Sequence, residues 1–163
     1  MKTLLIVWHS RTGAARQMAG AAAAGARTEA EVAVRILPAE AAQPADLLAA
    51  EGYLFAAPEN LAALSGGMKE FFDRCYYPCL ERLNGRPYAM LIAAGSDGEG
   101  AVRQLARIAT GWRLRAAAEP LIVCTHAQTP EAIAAPKHLS DADIATCEEL
   151  GQALAAGLAL GVF

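Results

Sequence analysis

"VWHSRTGAARQMA", residues 7–19, is the stretch that decides the fold. An apolar run, Thr3-Leu4-Leu5-Ile6-Val7-Trp8, enters a short polar loop, His9-Ser10-Arg11-Thr12-Gly13, and a small-residue helix opens at Ala14. A strand that turns through glycine into a helix is the first unit of an α/β sheet. The turn is also a place for an anion, because free N–H groups and the positive end of the helix dipole face it. The loop is neither G-x-x-x-x-G-K-[ST] nor G-x-G-x-x-G. It offers two hydroxyls, Ser10 and Thr12, the Arg11 cation, a glycine that lets the backbone curl, and the amides of Gly13, Ala14 and Ala15. Without an adjoining lysine or a usual magnesium ligand, it suits a terminal monophosphate better than a triphosphate. An ordinary N-cap by Ser10 or Thr12 would use the same residues.

Beyond this unit, strand and helix alternate. Residues 3–8 read as a strand and 14–26 as a helix. "EVAVRIL", 31–37, reads as a second strand, and a short helix runs from Pro44 and Asp46 through Glu51. "GYLFAAP", 52–58, is a third, buried strand. In "GGMKEFFDRCYYPCL", Met68, Phe71, Phe72, Cys75 and Cys79 recur at helical spacing, with Lys69/Asp73 and Glu70/Arg74 as i,i+4 pairs on the solvent face. "RPYAMLIAAG", 86–95, is the fourth strand. Val102, Leu105, Ala109 and Trp112 stripe the next helix, and "EPLIVCTH", 119–126, is the fifth strand. Ser140-x-x-Asp143 opens a last helix carrying Ile144, Cys147, Leu150, Leu154 and Leu158. Five strands alternating with helices predict one α/β domain over 1–163. It is a three-layer sandwich around a parallel sheet of order 2-1-3-4-5.

Ligands of such sheets sit at the carboxyl ends of the strands around the topological switch point. Three loops therefore matter: 9–15, 58–66 and 95–100. The second, "PENLAALSGGMK", carries Glu59, Asn60 and Ser65 among small apolar residues and offers a flat wall to a ring. The third, "AGSDGEGA", has Gly95, Gly98 and Gly100 around Ser96 and Asp97, which lets backbone approach a ligand closely.

Composition agrees. The chain has 163 residues, 55% hydrophobic and 19% charged, enough for one core and too apolar for disorder. A net charge of −3 with no basic run argues against a nucleic-acid partner. The apolar runs are too short for a signal-peptide core or a membrane span, so a soluble, cytoplasmic protein is expected. Four cysteines without a CxxC are expected to be reduced, mostly buried thiols.

On these residues the sequence resembles the flavodoxin-like superfamily, nearest its NAD(P)H-dependent FMN reductase and WrbA-type quinone reductase branches. Ser10-x-Thr12-Gly13 resembles the flavin phosphate loop. Pro58-Glu59 with Lys69 and Asp73 resembles the P-E-Y-N…K…D stretch of FMN reductases, and "SGGMKEFFDR" is the most specific piece. The resemblance implies FMN, with its phosphate at Ser10, Arg11, Thr12, Gly13, Ala14 and Ala15. Its ring would lie between Pro58, Glu59, Asn60, Leu61, Ala62 and Ala63 on one side and Gly95, Ser96, Asp97, Gly98 and Gly100 on the other. An open face beside Leu61 and Leu64 would admit nicotinamide, from NADH or NADPH, and then a quinone or similar small acceptor. No catalytic side chain and no metal are expected.

The second and third loops contain no aromatic residue, which favours an oxidoreductase over a flavodoxin-type electron carrier, the alternative. His9 and Trp8 read as strand-end residues. Arg103, Arg107, Arg113 and Arg115 read as a solvated basic face. Tyr76-Tyr77 and the apolar "ALAAGLALGVF" point to a homodimer or homotetramer in which a neighbour completes the open site.

Overall fold

The computed structural model describes residues 1–163. Its strands are β1 (Lys2–Trp8), β2 (Val32–Pro38), β3 (Gly52–Asn60), β4 (Ala63–Leu64), β5 (Pro87–Ala94), β6 (Arg115–Ala116) and β7 (Leu121–Cys124). Its helices are α1 (Ala14–Ala26), α2 (Pro44–Leu48), α3 (Gly66–Cys79), α4 (Glu99–Gly111), α5 (Pro130–Ala134) and α6 (Asp141–Leu160).

The central strands are apolar almost end to end because both faces of a parallel sheet are covered. All eight residues of β5 are buried. Side chains alternate between two cores. Leu5 and Val7 of β1, Tyr53 and Phe55 of β3, and Met90 and Ile92 of β5 point toward α3 and α4. Leu4, Ile6, Leu54, Ala56, Ala89 and Leu91 point toward α1 and α6.

The two cores differ in grain. The α3/α4 side holds the large rings: Phe55 packs edge-on to Phe72, and Phe72 lies 5.6 Å from Trp112. The α1/α6 side is built of alanine and glycine, which lets the two helix backbones touch. A Cβ on Gly151 would meet the Ala22 carbonyl oxygen, and one on Gly25 the Glu148 carbonyl oxygen, both at 1.9 Å.

The parallel order is β2-β1-β3-β5, with Leu5 opposite Tyr53 and Phe55 opposite Met90. The fifth position is shared by two pieces. β6 pairs with Pro87 and Tyr88, and β7 with Leu91–Ala94. The expected 2-1-3-4-5 arrangement therefore stands, with its last strand broken between Ala116 and Leu121, where Pro120 has no N–H to give the ladder. The expected strand 119–126 shortens to Leu121–Cys124, and the helix expected through Glu51 stops at Leu48. β3 runs two residues past Pro58 and folds back into β4, which together with the split of the last strand makes seven strands in place of five.

Most of the expected local contacts are present. Lys69 reaches Asp73 at 2.6 Å, and Ser140 Oγ accepts from the Asp143 amide at 3.1 Å. Arg74 does more than pair with Glu70. Its guanidinium also donates to the carbonyls of Ala39 and Ala42, tying α3 to the segment after β2. Cys75, Cys79 and Cys147 are buried free thiols, and Cys124 is half-buried. Burial pushes the Cys75 and Cys147 thiols up to about 11, so both are protonated at neutral pH.

Candidate functional site

At the carboxyl end of β1 the chain curls before α1 begins. The N-cap is Gly13, not Ser10 or Thr12, and it sits at φ +104°, a conformation that favours glycine. Ser10 Oγ accepts from the Gly13 amide at 3.0 Å. The amides of Ser10, Arg11, Thr12, Ala14 and Ala15 donate to no group of the chain. Five unclaimed N–H groups at the positive end of a 13-residue helix form a nest for an anion.

Beside the nest opens a cavity of about 410 Å³, within the ~300–1,000 Å³ typical of small-molecule sites. Ser10, Arg11, Thr12, Ala14 and Ala15 line it from the first loop, and Pro58 and Asn60 from the end of β3. A smaller cavity of about 100 Å³ continues it, sharing Thr12, Pro58 and Asn60 and adding Glu59 and Gly95. The first two predicted loops and the start of the third therefore converge on one groove.

The remaining predicted residues are placed differently. Leu61 and Ala62 form the tight turn between β3 and β4, at φ +53° and +63°, and Leu61 is fully exposed. Ala63 pairs with Asn60. Leu64, expected beside an open face, is buried, because β4 turns it inward. Gly98 is the N-cap of α4 at φ +94°, and Gly100 packs under the Ala62 carbonyl oxygen. Glu59 spans the gap: its carboxylate accepts from the amides of Gly98 at 3.0 Å and Ala101 at 3.1 Å. It thereby caps α4 and bolts the β3–β4 turn to it. Those two amides are spoken for, whereas those of Gly95, Ser96 and Asp97 donate to nothing in the chain.

His9 is turned away from the groove. Its Nδ1 lies 2.7 Å from the Oγ of fully buried Ser65. Burial lowers its pKa below 6.5, opposed by Glu40 and helped by Arg11, so the ring is neutral at pH 7. Trp8 is half-buried beneath the Arg16 guanidinium, 5.5 Å from its ring centroid. Tyr76 stacks on Trp112 at the end of α4, and exposed Tyr77 adjoins it. Since α3 begins at the groove and runs back along the sheet, this pair sits at the opposite end and gives its own groove no wall.

A fourth loop, 125–140, joins the three that the sequence points to. It follows β7, crosses the groove, and brings Thr125, Ala127, Ile133 and Lys137 to its lining. Lys137 donates its amide to the Thr12 carbonyl at 2.8 Å, and its ammonium lies 3.3 Å from Thr12 Oγ1. Two signals in the sequence mark this loop. Thr129-Pro130 is a helix start, with Thr129 Oγ1 accepting from Ala132 N at 3.2 Å. Lys137 is also the only lysine or arginine after Arg115.

The sequence pattern of the family described as NADPH-dependent FMN reductase matches residues 38–128, which include the second and third loops. A flavodoxin of Aquifex aeolicus (strain VF5) is 30% identical over 100 residues, covering 61% of this chain and 54% of that protein. The matched part thus spans about half the length of that relative. Among solved structures, a flavodoxin from the domain Archaea superposes with a TM-score of 0.79 at 19% identity, over 96% of this chain and 98% of that one. The flavodoxin, WrbA-like protein from Agrobacterium tumefaciens gives 0.74 at 18% identity, over 99% of both chains.

Proposed function

The chain belongs to the NADPH-dependent FMN reductase family of the flavodoxin-like superfamily, and we propose accordingly that it is an FMN-dependent oxidoreductase passing electrons from NADH or NADPH to a quinone or similar small acceptor. The observation that carries this reading is the placement of the unclaimed amides. Those of Ser10, Arg11, Thr12, Ala14 and Ala15 belong to residues that line the larger cavity, and Gly95, whose amide is also free, lines the smaller one, with the free amides of Ser96 and Asp97 following it in the chain.

These residues fit the cofactor. The first set, with the Ser10 and Thr12 hydroxyls, would hold a phosphate. The second set would donate to the polar edge of the flavin ring. Pro58, Asn60 and the turn at Leu61 would flank the ring with apolar and backbone surface. FMN, when bound, supplies the electron-transfer chemistry itself, so the protein's work is to bind, orient and shield. His9 is engaged with Ser65 and is not among the residues that line the two cavities.

We place the acceptor and nicotinamide on the face left open beside Leu61. A homodimer or homotetramer would cover that face. Exposed Leu160 and Val162 lie at the other end of the sheet, where Leu158 meets Lys2, and would serve a second contact between copies, not the cover of this face. A cytoplasmic place and no nucleic-acid or membrane partner belong to the same proposal. They are supported by the charge of −3 and by the fact that no helix is long and apolar enough to cross a membrane.

The experiment is to identify the flavin released from purified protein by mass. Oxidation of NADH and NADPH is then followed with a quinone, free FMN and ferricyanide as acceptors. FMN as the released flavin and turnover with at least one acceptor are expected, and no turnover by FMN-loaded protein overturns the enzyme. That result would leave an electron carrier without its own NAD(P)H activity, a second reading favoured by the 30% identity to a flavodoxin.

A further inference from the structure

Lys137 arrives at the first loop from the far end of the sequence, held by more than its side chain. Its amide donates to the Thr12 carbonyl at 2.8 Å, and its own carbonyl accepts from Gln17 Nε2 at 2.7 Å. The same Gln17 nitrogen donates to the Gly13 carbonyl at 2.9 Å, and Gln17 Oε1 accepts from the Leu139 amide at 3.1 Å. One glutamine near the start of α1 therefore fastens Lys137 and Leu139 to the loop that opens the helix.

The ammonium of that residue is fully used. A lysine has three N–H donors and no acceptor. Here the three go to the Ala135 carbonyl at 2.6 Å, the Ile133 carbonyl at 2.9 Å and Thr12 Oγ1 at 3.3 Å. Because the lysine can only donate, Thr12 Oγ1 is the acceptor in that contact. The hydroxyl proton of Thr12 is thus left to point elsewhere, and Thr12 lines the groove on the side of the free amides. A cation donating to a hydroxyl that donates onward is a polarised chain, stronger for an anionic acceptor than a lone hydroxyl.

We propose that Lys137 is the positioning residue of the phosphate site: it sets the rotor of Thr12 so that its hydroxyl donates into the groove, and it supplies the fixed positive charge behind that hydroxyl. This rests on the FMN reading above. It adds a residue from the loop after β7 to a site otherwise made of the loop after β1, and it makes the site selective for a phosphorylated flavin.

The test measures dissociation constants of FMN and of riboflavin by quenching of flavin fluorescence, at low and at moderate ionic strength. Wild type is compared with Lys137→Met and Lys137→Arg. The methionine keeps the apolar stem and every main-chain bond while removing the ammonium. It is expected to weaken FMN about tenfold, leave riboflavin within twofold, and flatten the salt dependence of FMN binding. The arginine variant is expected to keep most of the preference for FMN. If the methionine variant folds poorly, Lys137→Gln takes its place, since its amide can still donate to the Ile133 and Ala135 carbonyls.

Equal weakening of both flavins would make Lys137 a strap for α5 and overturn the proposal, as would no change in either. A wild-type protein that binds FMN no better than riboflavin would instead bring down the phosphate site itself, and so the reading beneath.

Discussion

Thr12 stands where the free amides of the first loop meet the groove, so removing its hydroxyl takes away a donor to the phosphate together with one acceptor of the Lys137 ammonium. A hydrogen bond to a charged acceptor contributes about 1.5–3 kcal/mol. Thr12→Ala is therefore expected to weaken FMN binding roughly tenfold to hundredfold and to leave riboflavin unchanged, measured by titration of flavin fluorescence. Equal losses for the two flavins would place the phosphate elsewhere. His9, three residues earlier, makes a prediction about stability. Its folded pKa lies below 6.5, mainly through burial, so on acidification the unfolded chain takes up the proton first. Its contribution is whole above pH 6.5 and is lost as the pH falls through the window below it. Melting temperatures at pH 7, 6 and 5 are expected to fall more steeply for wild type than for His9→Gln, whose amide can still bond Ser65. Parallel slopes would refute this.

The β3–β4 turn is an element that breaks a local rule. Two-residue turns with both central residues at positive φ favour Asn-Gly, yet Leu61 and Ala62 occupy them. Each carries a backbone strain of about 1–2 kcal/mol. The turn persists because Glu59 is tied to α4 and the Leu64 amide donates to Gln104 Oε1 at 2.7 Å. Leu61→Asn with Ala62→Gly is expected to stabilise the protein by about 1–2 kcal/mol. At roughly 2–4 °C per kcal/mol for a chain of this size, the gain is visible by calorimetry. Reduced electron transfer to a bulky acceptor in the same variant would show that Leu61, fully exposed at the open face, is kept for function. A lower melting temperature would show that the turn is not strained.

The contact between α1 and α6 concerns the whole molecule, since it clamps the two ends of the chain together against one face of the sheet. With Gly151 seated on the Ala22 carbonyl, Gly151→Ala has no space for its methyl and is expected to cost at least the ~1–3 kcal/mol of an overpacked core. Gly20 lies in the same α1, and a methyl there would have nothing within 4 Å, so Gly20→Ala is expected to stabilise by about 0.5–1 kcal/mol. Chemical denaturation of the two variants gives opposite signs if the packing is as described. Light scattering over a dilution series tests the proposed assembly. A mass near one chain at micromolar concentration, with flavin still bound and activity intact, would remove the need for a shared site.

Short-range pattern is enough to specify the sheet. Continuous apolar runs of about five to eight residues, broken by glycine and small-residue helices, favour a parallel sheet covered on both faces, and right-handed crossovers then leave few topologies, of which 2-1-3-4-5 is the natural one for five strands. The first loop is legible because every part of it, from Ser10 to Ala15, is contiguous in the chain. Glu59 reads as a ligand in the sequence because nothing local shows that β3 continues past Pro58 and carries that carboxylate to the start of α4. Leu64 reads as open for the same reason, since the turn that buries it needs α4 as its support. Lys137 is 125 residues from Thr12. Only the packing of the loop after β7 across the sheet end brings its charge to that hydroxyl, and no periodicity records a contact made between two loops.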